Sequence, residues 1–403
     1  MAGFLICASL TGSLMAFYPE LERALNPQWY PTPQDGRPLD LATLIERAES
    51  YAPEAQVEGV ALRSFMDNTL AWVAPKDPDH PLAFNHLMLD PWTGEELGRR
   101  QFGDLSDGLQ NVMSFLYDFH FTLGLNSYGM WALGICALIW TIDCFVGLYL
   151  TFPVWRRIHI PGGGSVKSRR SWWMRWKPAW MIRSDKSRYR LNFDLHRAGG
   201  LWLWIAFLVF AWSSVYMNLW DTVYTWTTQA VTEYKAPWTE LPNVDRHVTN
   251  PRLSWREAQT RGEQLMAELA QEHDFTIESA HMLFLNPAKG VYVYAVRSSL
   301  EFEGPRRSFT KVFFDANTGE RRFWLLPSGQ YSGNTFSNWL ISLHEANVFG
   351  LPYRIFVCTL GLLTVILSVT GIIIWLKKRH SRNIVAVRQQ VRRSALQEHS
   401  LQL

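Results

Sequence analysis

The sequence predicts an α-helical membrane bundle of four transmembrane helices carrying two exterior α+β domains, built on an internal two-fold repeat. Three observations predict it. Four long apolar runs alternate with ordinary polar stretches, basic residues concentrate in one loop and the C-terminal tail, and a turn motif and a histidine recur at matched spacing in the two halves.

The apolar runs come first. The chain has 403 residues, of which 19% are charged and 20 are Trp. The charges avoid four segments: Met1 to Phe17, Met130 to Phe152, Gly199 to Trp220 and Ile355 to Leu376. A helix needs about 20 such residues to cross a hydrocarbon core. The last two runs hold no charge, and the second holds one, Asp143. The first is slightly short and lacks the basic flank of a cleaved signal peptide. It reads as a membrane helix whose first turns lie upstream of Met1. This segregation excludes a disordered chain, a collagen-like or disulfide scaffold, and a purely soluble enzyme. Cys7, Cys136, Cys144 and Cys358 all fall in the apolar runs, with no CxxC, and read as core thiols.

Charge then sets orientation. Residues 153–195 hold eleven Lys/Arg against Asp185 and Asp194, and residues 377–403 hold seven against Glu398. Loop and tail are separated by two crossings, so they share a face, and the positive-inside rule makes that face cytoplasmic. The expected organisation is a first span at 1–17, a first exterior domain at 18–110, and a histidine-bearing lead-in with the second span at 111–152. A basic cytoplasmic loop at 153–195 and the third span at 196–220 follow. A second exterior domain at 221–338, a histidine-bearing lead-in with the fourth span at 339–376, and a basic cytoplasmic tail at 377–403 complete it. The exterior domains are periplasmic in a Gram-negative host. Trp172, Trp173, Trp176 and Trp180, among basic residues, suit a segment lying at the headgroup level. Because the basic loop abuts apolar spans, its charge reads as topology, with no nucleic-acid partner.

The repeat is legible in motifs. Asp90-Pro91-Trp92-Thr93-Gly94-Glu95 in the first exterior segment matches Asp315-Ala316-Asn317-Thr318-Gly319-Glu320 in the second. Each follows a short apolar or aromatic stretch and reads as a strand ending in a tight turn. Upstream of each lies a helical pattern, Leu39 to Tyr51 and Ser254 to His273, the second opening with Ser254 and Glu257 in capping-box spacing. The periodicity continues into the membrane. His120 precedes Gly147 by the same interval as His344 precedes Gly371. Two copies of helix–exterior domain–helix therefore relate by an axis along the membrane normal.

His120 and His344 thus sit at matched depth near the exterior edge of the bilayer. Two imidazoles facing across such an axis can ligate the iron of a macrocycle from both sides. The same placement also suits interfacial histidines that bond headgroups or water. His196 stands at the cytoplasmic start of the third span, and the spacing puts its symmetric partner about five residues before Met1. Asp143, an acid inside a span, reads as a proton-handling or structural hydrogen-bonding residue.

These residues carry a family resemblance. Ala16-Phe17-Tyr18-Pro19-Glu20-Leu21, Trp140-Thr141-Ile142-Asp143-Cys144-Phe145-Val146-Gly147, Asn192-Phe193-Asp194-Leu195-His196-Arg197-Ala198-Gly199-Gly200-Leu201-Trp202 and the twin Thr-Gly-Glu turns resemble the PepSY-associated transmembrane proteins, also called iron-regulated inner-membrane proteins. The resemblance covers nearly the whole chain. It implies a four-helix membrane core with two periplasmic PepSY domains, and a haem-containing ferrisiderophore reductase of the bacterial inner membrane. His120, His344 and His196 match the family's span-flanking histidines, whereas its fourth, in a Leu-His-Arg-Trp type segment before the first span, has no counterpart here. The implied cofactor is haem b, held on the exterior side by His120 and His344. The implied partners are a ferric siderophore, the lipid bilayer, and a cytoplasmic or quinol electron donor, since no GxGxxG fingerprint marks a nucleotide site in this chain. Two other readings stay open: a membrane-anchored PepSY module that binds or restrains a periplasmic protein without redox activity, and a transporter using Asp143 for proton coupling.

Overall fold

Capping residues and breaks in the apolar runs decide where the helices begin and end. The computed structural model describes residues 1–64, 67–77, 79–154, 157–160, 164–167, 171–183, 187–301 and 308–401. Arg156, Arg169, Arg170, Asp185 and Lys186 of the expected basic loop lie outside the described residues. The chain opens with α1 (Ala2–Met15), α2 (Tyr18–Leu25) and α3 (Leu41–Tyr51), followed by strands β1 (Ala55–Ala61), β2 (Leu70–Pro75), β3 (His86–Leu89) and β4 (Glu96–Arg100). Helices α4 (Val112–Thr122) and α5 (Asn126–Thr151) lead to a hairpin of β5 (Arg157–Ile160) and β6 (Gly164–Lys167). Then come α6 (Trp172–Trp176), α7 (Arg188–Trp202), α8 (Trp204–Asn218), α9 (Thr225–Val231), α10 (Pro237–Glu240) and α11 (Trp255–Glu272). Strands β7 (Ile277–Asn286), β8 (Val291–Ser298), β9 (Thr310–Asp315) and β10 (Arg321–Leu325) precede α12 (Ser332–His344) and α13 (Gly350–Leu401).

Two compact units result, one of Met1–Leu10, Cys136–Ala211 and Thr359–Leu403, the other of Thr11–Ile135 and Trp212–Cys358. Among the described residues, α5 and the Gly350–Val385 part of α13 are each long and apolar enough to cross a membrane. The pairs α1 with α2 and α7 with α8 meet the same test jointly, each bent by 68°. The third apolar run is therefore not the single helix expected from Gly199 to Trp220. Its helix begins at Arg188, where the Ser187 side chain accepts from the Arg190 amide, and it breaks at Leu203 just after Gly199-Gly200. The first run likewise turns at Phe17, and Pro19 sits in the first turn of α2, where its missing N–H costs nothing.

Within the second unit the strands form one eight-stranded antiparallel sheet, ordered β10-β9-β8-β7-β1-β2-β3-β4 among the described residues. The sequence predicts two separate α+β domains. The structure instead joins their strand sets edge to edge, with Gly59, Val60 and Ala61 of β1 opposite Phe284, Leu283 and Met282 of β7. The pairing removes an exposed edge from each four-stranded set. Alternation in a sequence reports which face of a strand is buried, not which edge finds a partner. Helices α3 and α11 cover one face, where Leu44, Ile45, Leu265 and Leu269 pack on Val57, Leu87, Leu283, Tyr294 and Phe314. The capping box predicted at Ser254 and Glu257 forms, and Asp40 caps α3 through the Thr43 amide.

Each half of the sheet carries the same turn. Asp90 Oδ1 accepts from the amides of Trp92 (2.7 Å) and Thr93 (3.1 Å). Asp315 Oδ1 accepts from those of Asn317 (2.9 Å) and Thr318 (3.0 Å). Gly94 and Gly319 both take φ +72°, and the Arg47 and Arg261 side chains lie against them. On the opposite sheet face sit two apolar clusters. Tyr18, Trp29, Leu70, Met88 and Met113 form one, which seats α4 on that face. Leu241, Val291, Val293 and Phe313 form the other.

Candidate functional site

The two lead-in helices place the paired histidines. His120 lies in the last turn of α4, which ends at Leu123 and Gly124 with φ +56° and +68° before α5 starts. His344 closes α12, and Ala346, Phe349 and Gly350, with φ +54°, +60° and +62°, turn the chain into α13. These left-handed turns separate each histidine helix from the long apolar helix that follows it. Each imidazole is thereby held beside the start of a long apolar helix.

The two rings meet, with centroids 6.4 Å apart and planes inclined at 64°. His120 Nδ1 lies 2.8 Å from the Thr11 hydroxyl of α1. His344 Nδ1 lies 2.7 Å from the Ser213 hydroxyl of α8. Gly12 supplies the space for the first ring, because a Cβ there would sit 3.1 Å from His120 Cε1. Both histidines are half-buried. With Nδ1 engaged by a hydroxyl, ring orientation is fixed and the hydroxyl acts as an outer partner to any ligand bond at Nε2.

His196 belongs to the other unit and has a similar seat. Its Nδ1 lies 3.0 Å from the Leu367 carbonyl and 3.1 Å from the Thr370 hydroxyl. Gly371 gives way to it, since a Cβ there would be 3.1 Å from His196 Cε1. The residue is exposed, and no other histidine ring packs against it among the described residues. Two residues before it, Asp194 is fully buried and meets three guanidinium groups, Arg183 (3.1 Å), Arg190 (3.3 Å) and Arg197 (2.9 Å). Asp143 is exposed on α5, between buried Thr141 and Cys144, and has no hydrogen bond or ion pair among the described residues. Trp172, Trp173, Trp176 and Trp180 form a contiguous ring cluster with centroid spacings of 4.9–5.5 Å.

Several contributors were not legible as contacts in the sequence. Thr11, Gly12, Ser213 and Gly371 are small residues within apolar runs; the fold makes them seats for imidazoles. A buried ion pair, Glu22 to Arg100 at 2.6 Å with both side chains inaccessible, links α2 to β4 with Trp29 against the guanidinium at 5.0 Å. Nothing in a 78-residue separation announces it. Two other histidines are neutral core residues. Burial, helped by Arg100, pushes His86 down to about 3. His281, stacked on Phe309 at 3.6 Å, is pushed down to about 3 by burial and by Lys311, Arg297 and Arg63.

The fold and these seats define a class: a membrane protein with an antiparallel sheet domain and a histidine pair beside its apolar helices. The family model described as the PepSY-associated TM region matches residues 1–378, and the chain belongs to that family. No match is found among the curated proteins.

Proposed function

We propose that the chain is a b-type haem protein of the bacterial inner membrane that passes electrons to a periplasmic ferric siderophore. The observation that carries the reading is the His120–His344 pair. An iron between two imidazoles, at about 2.0 Å per Fe–N bond and about 1.1 Å from nitrogen to ring centre, would set the ring centres about 6.2 Å apart. The measured separation is 6.4 Å. Among the described residues no group of three or more His, Cys, Asp or Glu is placed to hold a metal ion. Two protein donors suffice where a macrocycle supplies the other four.

In this reading His120 and His344 would hold the haem, and Thr11 and Ser213 orient the two rings through their contacts at Nδ1. When bound, haem b supplies a one-electron carrier whose potential follows its axial ligands and burial. The substrate iron gains one electron, Fe(III) to Fe(II), and its hard oxygen chelator then holds it far more weakly. The electron comes from a quinol or a cytoplasmic protein. His196, on its Thr370–Gly371 seat, offers a single ligand, and a cytoplasmic-side haem is left out of the proposal because no second histidine pairs with it among the described residues. Asp143 serves a proton or a helix partner.

The topology belongs to the same proposal. The four spans are α1 (within 1–17), α5 (within 111–152, after the histidine-bearing lead-in), the end of α7 with α8 (196–220) and the apolar part of α13 (within 339–376, after the second lead-in). Residues 18–110 and 221–338 are periplasmic and form the two PepSY lobes of the joined sheet. Residues 153–195 and 377–403 are cytoplasmic. The matched Asp90 and Asp315 turns, and the matched positions of His120 and His344 at helix ends, support an internal two-fold repeat.

The test is a visible spectrum of the detergent-purified protein, oxidised and dithionite-reduced, with a pyridine haemochrome count. The expected result is a b-type spectrum near one haem per chain. Absence of haem in folded protein expressed with haem available would overturn the reading.

A further inference from the structure

A second site lies at the seam between the two halves of the sheet. A cleft of about 530 Å³ opens there, lined by Glu58, Trp72, His247, Met282 and Phe284, with residues 285–288 along one side. It sits on the sheet face away from α3 and α11, between the two apolar clusters of that face: Trp72 packs at the edge of one and Phe284 at the edge of the other.

The local backbone builds this cleft. In the ladder, Trp72 of β2 and Phe284 of β7 both stand opposite Gly59 of β1. Gly59 cannot carry a side chain, because a Cβ would lie 2.3 Å from that of Phe284. The central strand therefore admits β7 at close range, and two aromatic residues flank Gly59. The register of β1 against β2 shifts between Val57 and Gly59, so Glu58 is the extra residue of a bulge. Bulges re-aim a side chain, and this one adds a carboxylate to a cleft lined mainly by apolar and aromatic side chains, with His247 and Asn286 as its other polar ones.

That carboxylate has no ion pair or hydrogen bond among the described residues. It is half-buried, and burial raises its pKa, with no neighbouring cation to offset the cost. A half-buried carboxylate without a partner is unfavourable in the isolated chain. A ligand that brings a positive charge would remove that penalty, and aromatic rings beside the charge favour a cation further.

We propose that the Glu58 cleft is the docking site for a cationic organic ligand with an apolar body, its ammonium group against Glu58 and its body between Trp72 and Phe284. As applied to the substrate, this rests on the siderophore reading above: the preferred ferric chelates are those bearing a free amine.

The experiment uses the full chain in detergent and redox-silent probes. Gallium(III) complexes of a trihydroxamate with a free primary amine, and of its N-acetylated form, are titrated calorimetrically. The amine form is expected to bind about tenfold more tightly than the acetylated form. Glu58→Gln, nearly isosteric, is expected to abolish that preference while leaving the haem spectrum and size-exclusion profile unchanged. Trp72→Leu is expected to weaken both complexes. Equal binding of the two complexes to the wild-type protein, or binding of neither, overturns the proposal, as does a preference that survives Glu58→Gln. Because gallium is not reduced and haem is counted separately, a charge preference without haem would sink the redox reading and leave the cleft standing.

Discussion

His120 and His196 rest on the same kind of seat, and only one of them has a companion. Thr11-Gly12 holds the first and Thr370-Gly371 the second, each by a hydroxyl at Nδ1 and by a glycine on which a Cβ would lie 3.1 Å from Cε1. His120 meets His344 across 6.4 Å and is half-buried; His196 is exposed and meets no histidine among the described residues. Gly147, the glycine of the second span that corresponds to Gly371, has no atom within 4 Å of the position its Cβ would take. A Thr-Gly seat therefore fixes a ring without making a two-ligand site. The second imidazole decides that.

The largest expected effect separates the two regions outright. His120→Ala and His344→Ala should each empty the paired site, taking the haemochrome count from about one per chain to near zero. His196→Ala should leave that count unchanged. Equal loss in all three variants would break the comparison.

The ionic centres of the two regions differ in the same way, one balanced and one not. Glu22 and Arg100 form a closed pair, whereas Asp194 faces three arginines. Arg100→Met should cost about 3–5 kcal/mol, because it leaves a buried carboxylate uncompensated. Thermal unfolding in detergent, followed by circular dichroism, would register it. Asp194→Asn should cost less, since each arginine keeps solvent contact; the reverse order would show that exposure does not govern these centres.

Acid should act on the sheet through His86 and His281. Both are held near 3 in the folded chain against an ordinary value of 6.5. The native state therefore binds fewer protons than the unfolded one between those values. Their contribution is full above about 6.5 and is lost as pH falls towards 3, by about 1.4 kcal/mol per pH unit for each histidine. Glu301, pushed up to about 7 from 4.5 by burial, acts with the opposite sign between those two values. Two groups outweigh one, so stability of the sheet should fall on acidification below pH 6. Hydrogen exchange of β3 and β7 amides across that range would check it, and flat protection factors would rule the balance out.

Smaller effects test the seats themselves. Thr11→Val and Ser213→Ala should keep haem but weaken its retention about tenfold, as loss of an outer partner does. Thr370→Val should not alter the paired site. Least of all, Ser254→Ala should remove the cap of α11 for about 1 kcal/mol, without touching either histidine region.

The apolar runs, the charge asymmetry, the twin Asp-x-x-Thr-Gly-Glu turns and the matched histidines are all written in the linear order, because each depends on local composition or fixed spacing. The capping box at Ser254 is local too, and the sequence located it. Tertiary structure decided the rest. It bent the α1–α2 and α7–α8 pairs, joined two four-stranded sets through β1 and β7, and made Thr11, Ser213 and Thr370 imidazole partners. It also closed the Glu22–Arg100 pair and used a bulge to bring Glu58 into one cleft with Trp72 and Phe284. Each of these rests on which distant surface completes a buried polar group or an unpaired strand edge. Periodicity along the chain carries the face a residue points to, but not the partner it will meet there.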